Sequence, residues 1–337
     1  MKRPARTRDT RSTVPRWIAT VLLATAAAPA AAQSGRTDAA AYPARPIRLV
    51  VPVPPGGSSD GMARILGQRL TERFGQQVLV DNRPGASEVI GTDLVAKATP
   101  DGHTLALISL RFSVNPSLLK LPYDTLRDFD PVTMTAAVGN VLVVTVKSPV
   151  RTVKDLVALA KQKPGELTFA SSGLGGAPHL IGEFFALTTG VRMTHIAYKG
   201  GGPAVTELVG GTVSMSFASM TSSLAFIRSG RLRPLAVSSR ERSAQLPEVP
   251  TMAEAGVPNV VVRDWQGIVA PRNTPKPVID KLAGEIQRIL RDPANQERFT
   301  ALGLEVIAST PAEFREGIAA EVTRWAKVVK DADIKAE

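Results

Sequence analysis

Ile47-Arg48-Leu49-Val50-Val51-Pro52-Val53-Pro54-Pro55-Gly56-Gly57-Ser58-Ser59-Asp60 is the stretch on which the reading of the fold turns. It opens with a short β-branched run, the composition of a buried strand. The Pro-Pro-Gly-Gly segment ends that strand and turns the chain. Met62, Ile65, Leu66, Leu70 and Phe74 then recur at helical spacing, and Gly75 stops the helix. Gln77-Val78-Leu79-Val80-Asp81 predicts a second strand, residues 89–98 a second helix after Pro84-Gly85-Ala86, and Thr104-Leu105-Ala106-Leu107-Ile108 a third strand. A βαβαβ run of this kind predicts an α/β fold with parallel strands covered by helices.

Outward from there, residues 113–137 contain Pro116, Pro122 and Pro131 and lack sustained periodicity. A second α/β unit follows. Its predicted strands are 141–146, 167–170, 193–197, 213–217 and 233–237. Its predicted helices span 153–162, capped by Thr152, then 178–189 and 203–209. Val260-Val261-Val262 predicts a further strand leading to Asp264 and Trp265, and helices are expected over 278–290 and 311–329. The two halves share one design, so the chain is expected to form two similar lobes, crossing between them near 140 and again near 262. The expected domains are 42–141 with 264–337 for lobe 1, and 142–263 for lobe 2.

The chain has 337 residues, enough for about two domains, and its 44% hydrophobic and 21% charged residues are globular values. Residues 1–32 have the order of an export signal. Lys2, Arg3, Arg6, Arg8, Arg11 and Arg16 precede an apolar run from Trp17 to Ala28, and Ala30-Ala31-Ala32 offers a cleavage site. The run is shorter than the ~20 residues a membrane span requires. Residues 33–41 are expected to be a linker, and the mature protein to be periplasmic. The leader carries +5 of the net +11 and leaves +6 spread along the mature chain, with no Lys/Arg block interleaved with aromatics. That pattern gives no support to nucleic-acid binding. There is no cysteine, which excludes disulfides, thiol catalysis and a lipid anchor on cysteine.

Three glycine-rich loops each follow a predicted strand and open a predicted helix: residues 54–60, 171–176 and 199–203. A helix start presents unpaired N–H groups and partial positive charge, and it binds carboxylate or phosphate without a charged side chain. In open α/β sheets such loops are where ligands sit. None continues as Gly-Lys-Ser/Thr, and none fits a dinucleotide fingerprint. Gly57-Ser58-Ser59-Asp60-Gly61 does fit Gly-x-Ser-x-Gly, so a periplasmic hydrolase using Ser59 with His179 is the alternative reading. His103, His179 and His195 lack zinc-ligand spacing, and neither a metal nor a cofactor is expected.

Several ordered stretches resemble the Bug family of periplasmic receptors, the substrate-binding components of tripartite tricarboxylate transporters. They include Pro52-Val53-Pro54-Pro55-Gly56-Gly57-Ser58-Ser59-Asp60, Asp81-Asn82-Arg83-Pro84-Gly85-Ala86, Ala98-Thr99-Pro100-Asp101-Gly102-His103-Thr104, Ser172-Gly173-Leu174-Gly175, Tyr198-Lys199-Gly200, and residues 247–256. The resemblance runs from about Tyr42 to the C-terminus. It implies a periplasmic-binding-protein-like (type II) Venus-flytrap fold, two-lobed, each lobe a mostly parallel sheet flanked by helices. It also implies a small carboxylate ligand and no enzymatic activity. As partners it implies tripartite permease subunits or a sensor kinase, with the receptor itself a monomer. The ligand set it implies is Pro55, Gly56, Gly57, Ser58 and Asp60 from the first lobe, and Ser171, Ser172, Gly173, Lys199, Gly200 and Gly201 from the second. Ser59, Ser109, His179 and Ser219 complete the candidates. The chain departs from the family pattern at Val53, often aromatic, at Gly176, often serine, and at Ala218-Ser219, where an acid is common. Lacking that acid, the site is expected to take a plain carboxylate and not an amino acid.

Overall fold

The computed structural model describes residues 41–334. The expectations for a signal over residues 1–32 and a linker over 33–41 fall on residues outside that range, apart from Ala41. Among the described residues no helix is long and apolar enough to cross a membrane.

The strands are β1 (Ile47–Val51), β2 (Val78–Asn82), β3 (Thr104–Ser109), β4 (Phe129–Val138), β5 (Asn140–Thr145), β6 (Thr168–Ser171), β7 (Thr194–Ala197), β8 (Met215–Ser219), β9 (Leu232–Val237), β10 (Asp264–Pro271) and β11 (Leu304–Val306). The helices are α1 (Ser58–Phe74), α2 (Val89–Ala96), α3 (Arg111–Leu118), α4 (Val153–Gln162), α5 (Ala177–Thr189), α6 (Gly201–Gly210), α7 (Met220–Arg228), α8 (Lys276–Arg291), α9 (Pro293–Ala301) and α10 (Pro311–Asp331).

Two sheets divide the strands. The first runs β11-β4-β10-β3-β1-β2 and the second β7-β6-β8-β5-β9. β4 leaves the first sheet at Val138 and β5 enters the second at Asn140, with Gly139 alone between them. The chain returns to the first sheet through β10. Most strands of each sheet run one way, as expected: β1, β2, β3 and β4 in the first, and β6, β7, β8 and β9 in the second, with β10, β11 and β5 reversed. β1 is parallel to β2 and β3, but β10 is antiparallel to β3 and β4, and β11 to β4. Likewise β6 is parallel to β7 and β8, whereas β5 is antiparallel to β8 and β9. The cause is the crossing itself. Strands β5 and β10 enter each sheet from the other lobe, at the end opposite to that from which the βαβ strands start.

Each sheet is sandwiched by helices. Met62, Leu66 and Leu70 of α1 and Val278, Leu282 and Ile286 of α8 bury their apolar stripes against Ile47, Leu49 and Ile268. Val205 and Leu208 of α6 cover Val141 and Val143. A third cluster runs through both sheets, joining Val50 and Ile108 to Leu142, Phe169 and Phe217, with Trp265 against Phe314 at 5.4 Å.

Five elements lie outside the sequence-based expectation: α3, β4, α7, α9 and β11. Pro116 sits inside α3, itself exposed behind the buried Phe112, Ser113, Val114 and Asn115, and Pro131 is buried inside β4, so packing of the segments overrides the breaker signals. In the other direction, Val260-Val261-Val262 forms no strand. Val260 and Val262 are buried without joining a ladder, and the strand starts at Asp264.

Candidate functional site

The first glycine loop is shaped from below by Asp60. Its Oδ2 accepts the Gly56 N–H at 3.0 Å and Arg64 Nε at 2.9 Å, and its Oδ1 accepts Asn82 Nδ2 at 3.1 Å. Burial pushes this carboxyl up, but the hydrogen bonds from Arg64, Gly56 and Asn82 outweigh it and hold it below the usual range. Gly56, at φ 94°, supplies a conformation that a side chain would resist. Pro55, Gly56 and Gly57 are exposed, while Ser59 and Asp60 are buried. Ser58 opens α1, and its Oγ accepts Gln266 Nε2 at 2.8 Å.

The second loop is held by a histidine pair. Ser171 Oγ lies 2.6 Å from His195 Nε2 and also accepts the Gly173 N–H at 3.1 Å. His179, almost fully buried, accepts the Gly175 N–H on Nδ1 at 3.2 Å and stacks on His195 at 4.0 Å. Burial, reinforced by the neighbouring His195 and Arg111, lowers the His179 pKa to about 3, and burial lowers that of His195 to about 4. Both rings are therefore neutral. His179 props the loop from beneath and makes no hydrogen bond to Ser59, so the Ser59/His179 hydrolase has no assembled nucleophile and base.

In the third loop Lys199 is exposed, with no hydrogen-bond or ion-pair partner among the described residues. Gly200 takes φ 119°. A Cβ on Gly201 would meet Ser222 Oγ at 3.2 Å, and Ser222 Oγ lies 2.9 Å from Ser219 Oγ.

Three buried or half-buried groups connect these loops. Arg111, at the start of α3, reaches across to the second lobe. Its Nε donates to Leu174 O at 3.1 Å, and Nη2 donates to Ser172 O at 3.1 Å and Gly173 O at 3.3 Å. Its Nη1 pairs with Glu88 at 3.2 Å. Ser109 Oγ donates to both Glu88 oxygens, at 2.8 and 2.9 Å, and sits opposite Gln266 in the ladder, so the Glu88–Arg111 pair adjoins the Ser58 corner. Glu88 ends a run of three left-handed residues, Ala86, Ser87 and Glu88, at φ 45°, 53° and 77°. Such backbone costs about 1–2 kcal/mol per residue, and the buried pair holds it in place. On the far side, Thr221 Oγ1 donates to Leu302 O, and a Cβ on Gly303 would meet Met220 Cβ at 2.7 Å. Leu302 also lies against Gly61 of α1. Contacts thus link the starts of α1, α5, α6 and α7 around the junction of the two sheets.

Those four helix starts have no side-chain cap. They follow Gly57, Gly176, Gly200 and Ser219. By contrast Thr152, Asp292 and Thr310 cap α4, α9 and α10, and none of these caps bonds to the loops above. Of the helices remote from the junction, α8 also starts without one, behind Pro275. The first N–H groups and the positive dipole ends of α1, α5, α6 and α7 are therefore left without side-chain caps along this chain of contacts.

Residue patterns alone did not identify Glu88, Arg111, Asn140, Asp264 or Gln266. Glu88 and Arg111 carried no helix-start or glycine signal. The other three flank the crossing strands, whose register only the assembled sheets reveal. Gly176 gains a reason here, because a Cβ on it would sit 2.5 Å from Arg111 Nη2. The serine that the family pattern often carries would collide with this guanidinium.

The model of the family described as "Tripartite tricarboxylate transporter family receptor" matches residues 62–334. Protein BugT of Bordetella pertussis is 44% identical over 297 residues, covering 87% of this chain and 91% of that protein. Among solved structures, the Rhodopseudomonas palustris protein Rpa4515, determined with adipate, is 36% identical at a TM-score of 0.82, covering 87% of this chain and 99% of that one. MatC from the same organism, with bound malate, is 29% identical at a TM-score of 0.79, covering 86% and 100%. With the two-lobed architecture and the matched span, the chain belongs to the tripartite tricarboxylate transporter receptor family, as a solute-binding receptor of the Bug type.

Proposed function

We propose that this receptor captures one small organic carboxylate between its lobes, holding it by the uncapped starts of α1, α5, α6 and α7. The observation that carries the reading is the contrast in capping. Of the helices that start elsewhere, α4, α9 and α10 satisfy their first N–H groups with Thr152, Asp292 and Thr310, α8 behind Pro275 being the exception, while those around the junction leave theirs for a guest. A carboxylate fills that role through main-chain hydrogen bonds in a site of reduced dielectric. Pro55, Gly56, Gly57, Ser58, Ser59 and Asp60 form or shape one grip. Ser171, Ser172, Gly173, His179, Lys199, Gly200, Gly201 and Ser219 form or shape the other, and Ser109 braces the floor. The adipate in Rpa4515 and the malate in MatC agree in ligand class with this reading.

In this reading the lobes are 42–141 with 264–337 and 142–263, and closure about the crossing strands traps the ligand. The mature protein works in the periplasm as a monomer, performs no chemistry on its guest, and delivers it to tripartite permease subunits or to a sensor kinase. The test is a thermal-shift panel of mono-, di- and tricarboxylates, with native mass spectrometry of the purified protein. A bound carboxylate at 100 times its Kd should add about 2.7 kcal/mol of stability. A panel in which no carboxylate moves the melting point of cooperatively unfolding protein would sink the reading.

A further inference from the structure

The floor of the junction differs chemically from its helix-lined walls. Asp264 opens β10, and Gln266 lies two residues on, on the same face of the strand. Asn140 opens β5 beside them. Its amide orientation is set by its neighbours, because Nδ2 lies 3.3 Å from Val138 O, a carbonyl that can only accept, and 3.5 Å from Asp264 Oδ2. Asn140 Oδ1 is thereby turned away from them, and it is buried with no hydrogen-bond partner. Gln266 Oε1 is likewise buried and unpartnered, and its amide sits on Ser58 at the start of α1. Ser58 Oγ can donate or accept, so Gln266 can turn its amide either way.

The donors nearby are already engaged. Arg111 is committed to Leu174, Ser172, Gly173 and Glu88, and Ser109 donates to Glu88. Asp264 keeps some accessible surface, yet it is so hemmed in that burial raises its carboxyl to about 7, with Asn140 and Arg111 lowering it and Glu88 raising it. A group that is deep and still reachable is what the bottom of a crevice presents.

We infer that Asp264 and Asn140, supported by Gln266, form an acceptor floor that selects carboxylates also bearing a hydrogen-bond donor, a hydroxyl or an ammonium. This rests on the carboxylate reading and goes further than it. The walls take the acid group, and the floor takes the donor. The acid that the family pattern often carries after β8 is absent here at Ala218 and Ser219, and Asp264 offers a carboxyl from the opposite lobe. A floor of buried acceptors discriminates strongly, because a guest without the donor leaves them unpaired.

Calorimetric titration of the full mature chain with matched ligands tests this: succinate, malate and aspartate; glutarate, 2-hydroxyglutarate and glutamate; 3-phenylpropionate, phenyllactate and phenylalanine. In at least one series a donor-bearing member should bind about tenfold or more tighter than the plain acid. Asp264→Asn should remove preference for an ammonium while sparing a hydroxyl, and Asp264→Ala should level the series. Plain acids binding as tightly as their donor-bearing partners in wild type, or an unchanged preference in a folded Asp264→Ala protein, would overturn the acceptor floor and leave the carboxylate receptor standing. Binding of no member by folded wild type would overturn both.

Discussion

Arg111 binds the main chain of the opposite lobe while pairing with Glu88, which is buried. Removing one partner of such a pair leaves an uncompensated buried charge. Arg111→Leu is therefore expected to lower stability by about 3–5 kcal/mol in urea unfolding. The Arg111→Leu/Glu88→Gln double variant should lose less than the sum of the singles, because the stranded charge is gone. His179 works differently. Its folded pKa of about 3 lies below the unfolded value of about 6.5, so between these limits the unfolded chain binds the extra proton. Its stabilising contribution is whole above about pH 6.5 and declines as pH falls, at about 1.4 kcal/mol per pH unit. Urea midpoints measured from pH 7 to 4 should drop steeply, and His179→Gln should flatten part of that slope. Residue chemistry of this kind was only half legible. His179 was visible as a helix-start histidine, but its role under the loop depends on His195, on the next strand.

Among the helices, the capped and uncapped starts give opposite expectations. Gly57 precedes α1 at φ −91° and ψ −178°, extended backbone open to any residue, and a Cβ there would meet nothing within 4 Å. Gly57→Asp places a permanent carboxylate over the free N–H groups of α1. Stability should rise by about 0.5 kcal/mol, while carboxylate affinity falls about tenfold or more, readable together in one thermal-shift titration. Thr310→Ala removes the capping box of α10 with Glu313. It should cost about 1 kcal/mol and leave affinity unchanged. The elements themselves were largely readable where periodicity was strong. Met62, Ile65, Leu66 and Leu70 marked α1, and the 278–290 stripe marked α8, whose observed span is Lys276–Arg291. Where a segment is short, or carries a proline that tertiary packing tolerates, as in α3 and β4, local signals point the wrong way. The three valines at 260–262 show the converse, since β-branched composition predicts burial as readily as it predicts strand.

At the scale of the whole molecule, the two sheets communicate through Gly139 and through the approach to β10, with a hydrophobic cluster spanning both. Closure about these crossings should shrink the particle. Solution scattering is expected to give a smaller radius of gyration in the presence of whichever carboxylate most raises the melting point. Arg111→Leu should reduce that difference, since the guanidinium joins the first lobe to the loop of Ser172 and Gly173.

The chain order by itself determined the alternation of strand and helix and the three glycine loops, because these depend on spacing along a few consecutive residues. Only the tertiary structure decided which strands oppose one another, that Arg111 would bridge the lobes, and that Asn140, Asp264 and Gln266 would share a floor. Those residues are distant in sequence, and what brings them together is the pairing of two crossing strands with sheets built elsewhere in the chain.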